Sequence, residues 1–295
     1  MSGKTLQIHL DDAMRARAES GHFNFIDRIR AAVEGRGWQV QILPETDAPP
    51  ASGHFALHHM TAPLHRRAMI FRRCYYYPYW HIESVPQRWR WPVALTTFHP
   101  DQIDGPEARH FLHKLRQRIM PDLRPTEPRH ILIPLQGQLT ELRSFQTMTP
   151  VEMVAAVAAT GKRCIATLHP KETYLPEEIA ALDTVALQFP NLTIGGNSRA
   201  LLAGAEYIAT QNSAVAMDAY LLARPVVLFA QSDFHHIALN VAEIGAAKAL
   251  DRAPTHKADY AKYLYWRLHH QAIDAMAPSA DARIIMAMKK GGWPL

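Results

Sequence analysis

Strand-length apolar runs alternate with helix-length segments along nearly the whole chain, and this alternation narrows the fold more than any other feature. It is the signature of parallel α/β architecture, in which each strand is followed by a helix that covers the sheet. The first half reads as strand 5–10, helix 21–34 with apolar residues at Phe25, Ile29 and Val33, strand 38–43 and a short strand at 55–57. Gly35 and Gly37 stop that helix, because glycine enters the left-handed region at little cost. A block from Tyr75 to Trp91 mixes aromatics, arginines and prolines with no clean period, and strand 93–98 and helix 106–120 follow it. Pro121, Pro125 and Pro128 mark the best linker. Beyond it come strand 130–135, helix 150–160, strand 164–168, helix 176–188, strand 192–194, a short helix 199–202, strand 207–210, helix 214–222 and strand 226–229. Helices 260–276 and 282–289 close the chain.

The linker predicts an N-terminal α/β domain over residues 1–125 and a C-terminal Rossmann-like domain over 129–295 that keeps the closing helices. A length of 295 residues suits two domains. The expected class is therefore α/β, with two Rossmann-like domains facing across a cleft (the GT-B-like arrangement) and C-terminal helices. With 48% apolar and 20% charged residues, disordered, collagen-like and coiled-coil readings are excluded. The longest apolar stretch, 214–230, is broken by Asp218, Arg224 and Pro225, too soon for a membrane helix. No apolar leader follows Met1, and two cysteines, Cys74 and Cys164, cannot build a disulfide framework, so a reducing cytoplasm is expected. A net charge of +5 comes from 32 Lys and Arg that are scattered rather than clustered, with no zinc-finger or RNP pattern, so nucleic acid is not an expected partner. The same balance suits an anionic small substrate, or peripheral contact with the inner face of an anionic membrane.

Polar residues recur where strands of the second half end. Gln136, Gln138, Glu141 and Arg143 follow the first strand, and His169 and Lys171 the second. Gln211, Asn212 and Ser213 follow strand 207–210, and Asp233, His235 and His236 follow strand 226–229. In a parallel sheet all four clusters lie on one edge, where ligands of open α/β sheets bind. Asn212-Ser213 reads as a helix N-cap, which needs no ligand but leaves N–H groups and a dipole that suit a phosphate. His169 either closes its strand or, with Lys171, grips a phosphate. Asp233, His235 and His236 could ligate a metal, but no spacing completes a set, so capping or substrate contact is favoured and no metal is expected. No Walker A, GxGxxG or GxSxG pattern follows any strand, and neither cysteine sits beside a base.

Gln136 after the first strand, then LHPKE, then TQNSAVAMDAYLLARPVVLF together resemble capsular polysaccharide biosynthesis proteins of the bacterial β-Kdo glycosyltransferase type. The resemblance covers roughly residues 131–234. It implies a glycosyltransferase that takes a nucleotide-activated sugar such as CMP-Kdo as substrate, with no cofactor. It also implies that His169 and Lys171 contact the donor phosphate, Asn212 and Ser213 cap it, and Gln136 lines the pocket. The family's loop aspartate is missing here, where the stretch reads GQLTELRS with Glu141 its one carboxylate. A base or nucleophile would come from Glu141, Asp11, Asp12 or Glu83. The acceptor, a glycan or glycolipid, falls to the N-terminal half, where Tyr79, Trp80, Trp89 and Trp91 either stack on sugars or fill an aromatic core. A sugar-nucleotide epimerase on the same plan, and an inactive nucleotide- or glycan-binding protein, are the competing expectations.

Overall fold

The computed structural model describes residues 4–46 and 53–295. Its strands in chain order are β1 (Thr5–Leu10), β2 (Gln39–Pro44), β3 (Phe55–His59), β4 (Ala68–Arg73), β5 (Tyr79–Glu83), β6 (His130–Pro134), β7 (Cys164–Thr167), β8 (Leu192–Ile194), β9 (Ala205–Thr210), β10 (Val226–Leu228), β11 (Leu239–Asn240) and β12 (Ile273–Asp274). They form two six-stranded sheets, in the orders β12-β5-β4-β3-β1-β2 and β11-β10-β9-β6-β7-β8. The second sheet is parallel throughout. Its strands β6, β7 and β10 are continuously buried, as a sheet covered on both faces requires. Counted from β6, the order is 3-2-1-4-5-6, the doubly wound arrangement, and it reverses between β6 and β9. In the first sheet β2, β1, β3 and β4 are parallel, whereas β5 and β12 join antiparallel.

The chain divides into two compact units, Met1–Leu95 with Arg267–Leu295, and Thr96–Trp266. These limits differ from a break at 125–129 on both sides. The last helix, Ala280–Lys290, buries Ile284, Ile285 and Met288 in the core of the first unit, beside Ile26 and Ile29 of helix Asn24–Glu34. Trp293 stacks on Trp38 with centroids 6.2 Å apart and tilts against Phe55 at 5.2 Å. Arg28 fastens the return by donating to the carbonyls of Ala275 and Ala277 at 3.2 and 2.8 Å. Helix Gly105–Ile119 belongs instead to the second unit, where Phe111 meets Tyr265 edge-on at 5.4 Å. The proline-rich stretch is held within that unit as well. Thr126 N–H donates to Ala203 at 2.9 Å, and Arg224 donates to the Thr126 carbonyl at 2.6 Å.

Several expected elements change. Residues 93–98 are not a strand: Pro92 opens a short helix, Pro92–Leu95, since a proline at the first helical position loses no needed N–H. Strand β4 was not expected, and β5 emerges from the aromatic block. Tyr79, Trp80 and Trp91 of that block are buried, with Trp80 stacked on Phe25 at 4.6 Å, so these three are core rather than sugar platforms. The expected helix 260–276 ends at Tyr265, passes through a wide π-type turn over Trp266–His270 and leads into β12.

Candidate functional site

Because the second sheet is parallel, its four strand-end clusters do share one edge, and the reversal between β6 and β9 marks where a ligand crevice opens in such sheets. The β6 and β9 ends are tied directly, Thr210 Oγ1 donating to the Pro134 carbonyl at 2.9 Å. The loop after β6 then runs through Gly137, and the Glu172 carboxylate of the β7 loop comes close to it, its Oε2 2.6 Å from where a Cβ would stand. Gln138 follows with φ of 61°, the left-handed region that non-glycine residues rarely enter. Leu139 N–H donates to Glu178 Oε1, and Glu178 Oε2 accepts from Leu175 N–H at 2.8 Å. The buried Glu178 carboxylate thus pins the β6 loop to the start of helix Pro176–Gln188.

Segment 145–148 lies along the loop after β10. Thr147 N–H donates to Phe229, and Gln231 N–H to Phe145, both at 2.8 Å. Gln211, 2% exposed, donates from Nε2 to the Met148 carbonyl at 2.9 Å, and Asn212 Nδ2 donates to the Gln231 carbonyl at 3.2 Å. These contacts join the loops after β6, β9 and β10, and Glu172 and Glu178 join that after β7.

Polar atoms in this network remain buried without a hydrogen-bond partner: Gln136 Oε1, Gln211 Oε1, Gln146 Nε2, and Nε and Nη2 of Arg143. Buried orphans are rare in folded proteins and cost roughly 1–3 kcal/mol each, so a group of acceptors and cationic donors at a switch point is what a polar, anionic ligand would satisfy. Burial lowers the Arg143 pKa, opposed by the nearby Glu141 and Glu172 carboxylates. Its guanidinium lies 4.9 Å from the Phe145 ring centroid.

His169 is half-buried. Its N–H donates to Tyr174 Oη at 2.7 Å, and its Nδ1 accepts from Lys171 N–H at 3.3 Å. With Nδ1 accepting, the neutral ring carries its proton on Nε2, a donor suited to a phosphate oxygen. Lys171 and Glu141 are exposed. Ser213 is buried and is not the helix cap: that position is Ala214, and Ser213 Oγ accepts from Val215 N–H at 3.3 Å in a local turn. Asp233 is 1% exposed. His235 stacks on His236 at 4.3 Å and uses Nδ1 on the Ser232 carbonyl. His236 meets Tyr263 Oη through Nδ1 and the Thr96 carbonyl through Nε2. The ring nitrogens of His236 are thus spent on the protein. Among the described residues no group of three or more His, Cys, Asp or Glu is arranged to hold a metal ion. Of the other carboxylates, Asp11 caps Met14 N–H at 2.7 Å, Asp12 pairs with Arg15 at 3.0 Å and Glu83 meets His81 at 3.2 Å, all in the first unit. Gln146, Glu172, Tyr174 and Glu178 were not singled out from the sequence. A glutamate two residues beyond Pro176 was the one signal on offer, for Glu178.

A doubly wound sheet with loops knotted at its switch point, together with a second parallel-rich sheet in the other unit, defines a GT-B-like α/β chain. Among solved structures it is similar to the β-Kdo 2,7 transferase of Thermosulfurimonas dismutans KpsC, at 12% identity over 97% of this chain and 99% of that one, with a TM-score of 0.55. The β-Kdo 2,4 transferase of the same KpsC is matched at 10% identity over 87% and 88% of the two chains, TM-score 0.44. A glycosyltransferase from Rickettsia africae is matched at 10% identity over 100% of both, also at 0.44. No family model matches the sequence, and no curated protein matches it.

Proposed function

We propose that the chain is a glycosyltransferase of surface or capsular polysaccharide biosynthesis that takes a nucleotide-activated sugar, CMP-Kdo-like, at the carboxyl edge of the second sheet. The observation that carries this reading is the set of unpartnered buried groups around Gln136, Arg143 and Gln211 where the strand order reverses. The likeness to a β-Kdo transferase supports the choice of substrate class. In this reading Arg143 and Lys171 neutralise the departing phosphate and His169 Nε2–H donates to it, which needs no metal when cationic donors are already in place. Gln136, Gln138 and Gln211 hold hydroxyl or base N–H groups through their amides, Asn212 and Ser213 shape the floor, and Glu141 is the carboxylate placed to act near the anomeric carbon. The first unit supplies the glycan or glycolipid acceptor. No helix among the described residues is long and apolar enough to cross a membrane; in this reading a lipid-borne acceptor is met at the inner membrane face.

A melting panel with CMP, UDP, GDP and their sugars tests the ligand class, since a ligand that binds only the folded chain raises Tm. His169→Ala is expected to weaken nucleotide binding by about ten- to a hundredfold, the equivalent of roughly 1.5–3 kcal/mol for a charge-assisted bond, with little change in Tm. Normal binding by a strongly destabilised variant would make His169 structural. Once activity is found, EDTA is expected to leave it largely intact; loss on chelation with rescue by Mg²⁺ would overturn the metal-free scheme.

A further inference from the structure

The first unit contains a cavity of about 390 Å³ far from the carboxyl ends of its parallel strands. Register places Glu83 opposite Ile70 and Trp80 opposite Arg73, so the cavity end of β5 lies at the edge where β4 begins. Ile82, Val93, Ile273 and Met286 supply apolar walls. Arg90, Arg283 and Lys290 supply three cations, and among the described residues none of the three has an ion-pair partner. Arg283 is fixed in place by donating to the carbonyls of His269 (at 2.9 Å) and His270. The one carboxylate lining the cavity, Glu83, accepts from His81 Nδ1 at 3.2 Å, while His81 Nε2 accepts from the fully buried Arg267 at 2.8 Å. Glu83 is therefore committed to its own buried chain of bonds; Asp274 acts on Arg283 from nearby, and Arg90 and Lys290 line the cavity with no carboxylate among the described residues paired to them.

We propose that this cavity is a second ligand site, for a small organic monophosphate whose apolar body lies against Ile82 and Ile273 and whose phosphate meets Arg90, Arg283 and Lys290. The volume is that of about a dozen waters, room for a ring or short chain with one phosphate. The chemistry does not depend on the glycosyltransferase reading, and the site lies on a different sheet.

Phenyl phosphate titrated into the full chain by calorimetry is expected to bind saturably at one equivalent. Arg90→Ala with Lys290→Ala, both at exposed positions, is expected to weaken it at least about tenfold with Tm unchanged, the loss of two charge-assisted contacts. Inorganic phosphate and benzyl alcohol are each expected to bind at least about tenfold more weakly, because each keeps half of the complementarity. The proposal falls if phenyl phosphate does not bind, if the double variant binds it as well as the wild type, or if either half-ligand matches it. Sedimentation with phosphatidylglycerol vesicles separates the sources: binding that the double variant loses identifies a lipid headgroup, and its absence beside intact phenyl phosphate binding identifies a soluble ligand.

Discussion

Glu178→Ala is expected to lower the stability of the second unit by about 3–5 kcal/mol and its Tm by roughly 6–20 °C, among the larger effects a single substitution produces. The carboxylate is 5% exposed and accepts two backbone N–H groups, from Leu139 and Leu175, on separate oxygens. Each such charge-assisted bond contributes roughly 1.5–3 kcal/mol, and removing the acceptor strands the buried Leu139 donor as well. Glu178→Gln keeps one carbonyl oxygen but turns an NH2 toward the other N–H, so about half the loss is expected. The same variants should weaken nucleotide binding, because the Leu139 bond sets the course of the loop that carries Gln136, Gln138 and Arg143. Calorimetric melts of the three proteins, each with and without CMP, decide the matter. An alanine variant that melts like the wild type, or a glutamine variant as damaged as the alanine one, would remove Glu178 from this role.

That bond spans 39 residues, which explains why the site was only half legible in the sequence. Local signals carried well: helix Pro176–Gln188 and strand β8 fall where proline, periodicity and apolar runs place them, and the strand-end clusters could be read off as polar residues after apolar runs. Periodicity cannot say which clusters meet, since strand order is set by packing between distant segments. Glu172 and Glu178 approach the β6 loop from across the sheet, and nothing local marks them as part of it. The return of the C-terminus failed for the same reason. Ile284, Met288 and Trp293 look like an ordinary amphipathic end until Trp38 and Phe55 stand beside them. Strand β5 was hidden differently: Trp80 and Ile82 alternate with Tyr79, His81 and Glu83, but five residues of alternation are lost inside a block of aromatics, arginines and prolines that has no clean period.

Acidification from pH 7 to 4.5 is expected to cost the first unit about 2.5 kcal/mol through His58 alone. His9 at the end of β1 and His58 in β3 stack with centroids 4.7 Å apart and planes 9° from parallel, and both are buried. His9 Nδ1 meets the Pro44 carbonyl at 3.0 Å, while Nε2 of each ring has no partner. Burial first, then the neighbouring His9 and His65, push the His58 pKa down from 6.5 to about 4. The unfolded chain therefore takes up a proton near pH 6.5 that the folded chain refuses until about pH 4, so acid favours unfolding between those values. The stabilisation is fully present above pH 6.5 and lost as the pH falls toward 4. His59, lowered to about 4 mainly by burial, adds in the same direction. Carboxylates also titrate over part of this range, so the diagnostic is a difference between proteins. His58→Phe keeps a ring to stack on His9 but cannot take the proton, and its unfolding free energy in urea should fall by about 2.5 kcal/mol less than the wild type's between pH 7 and 4.5. Parallel pH profiles for the two proteins would mean that His58 is protonated in the folded chain and is not held neutral by its burial.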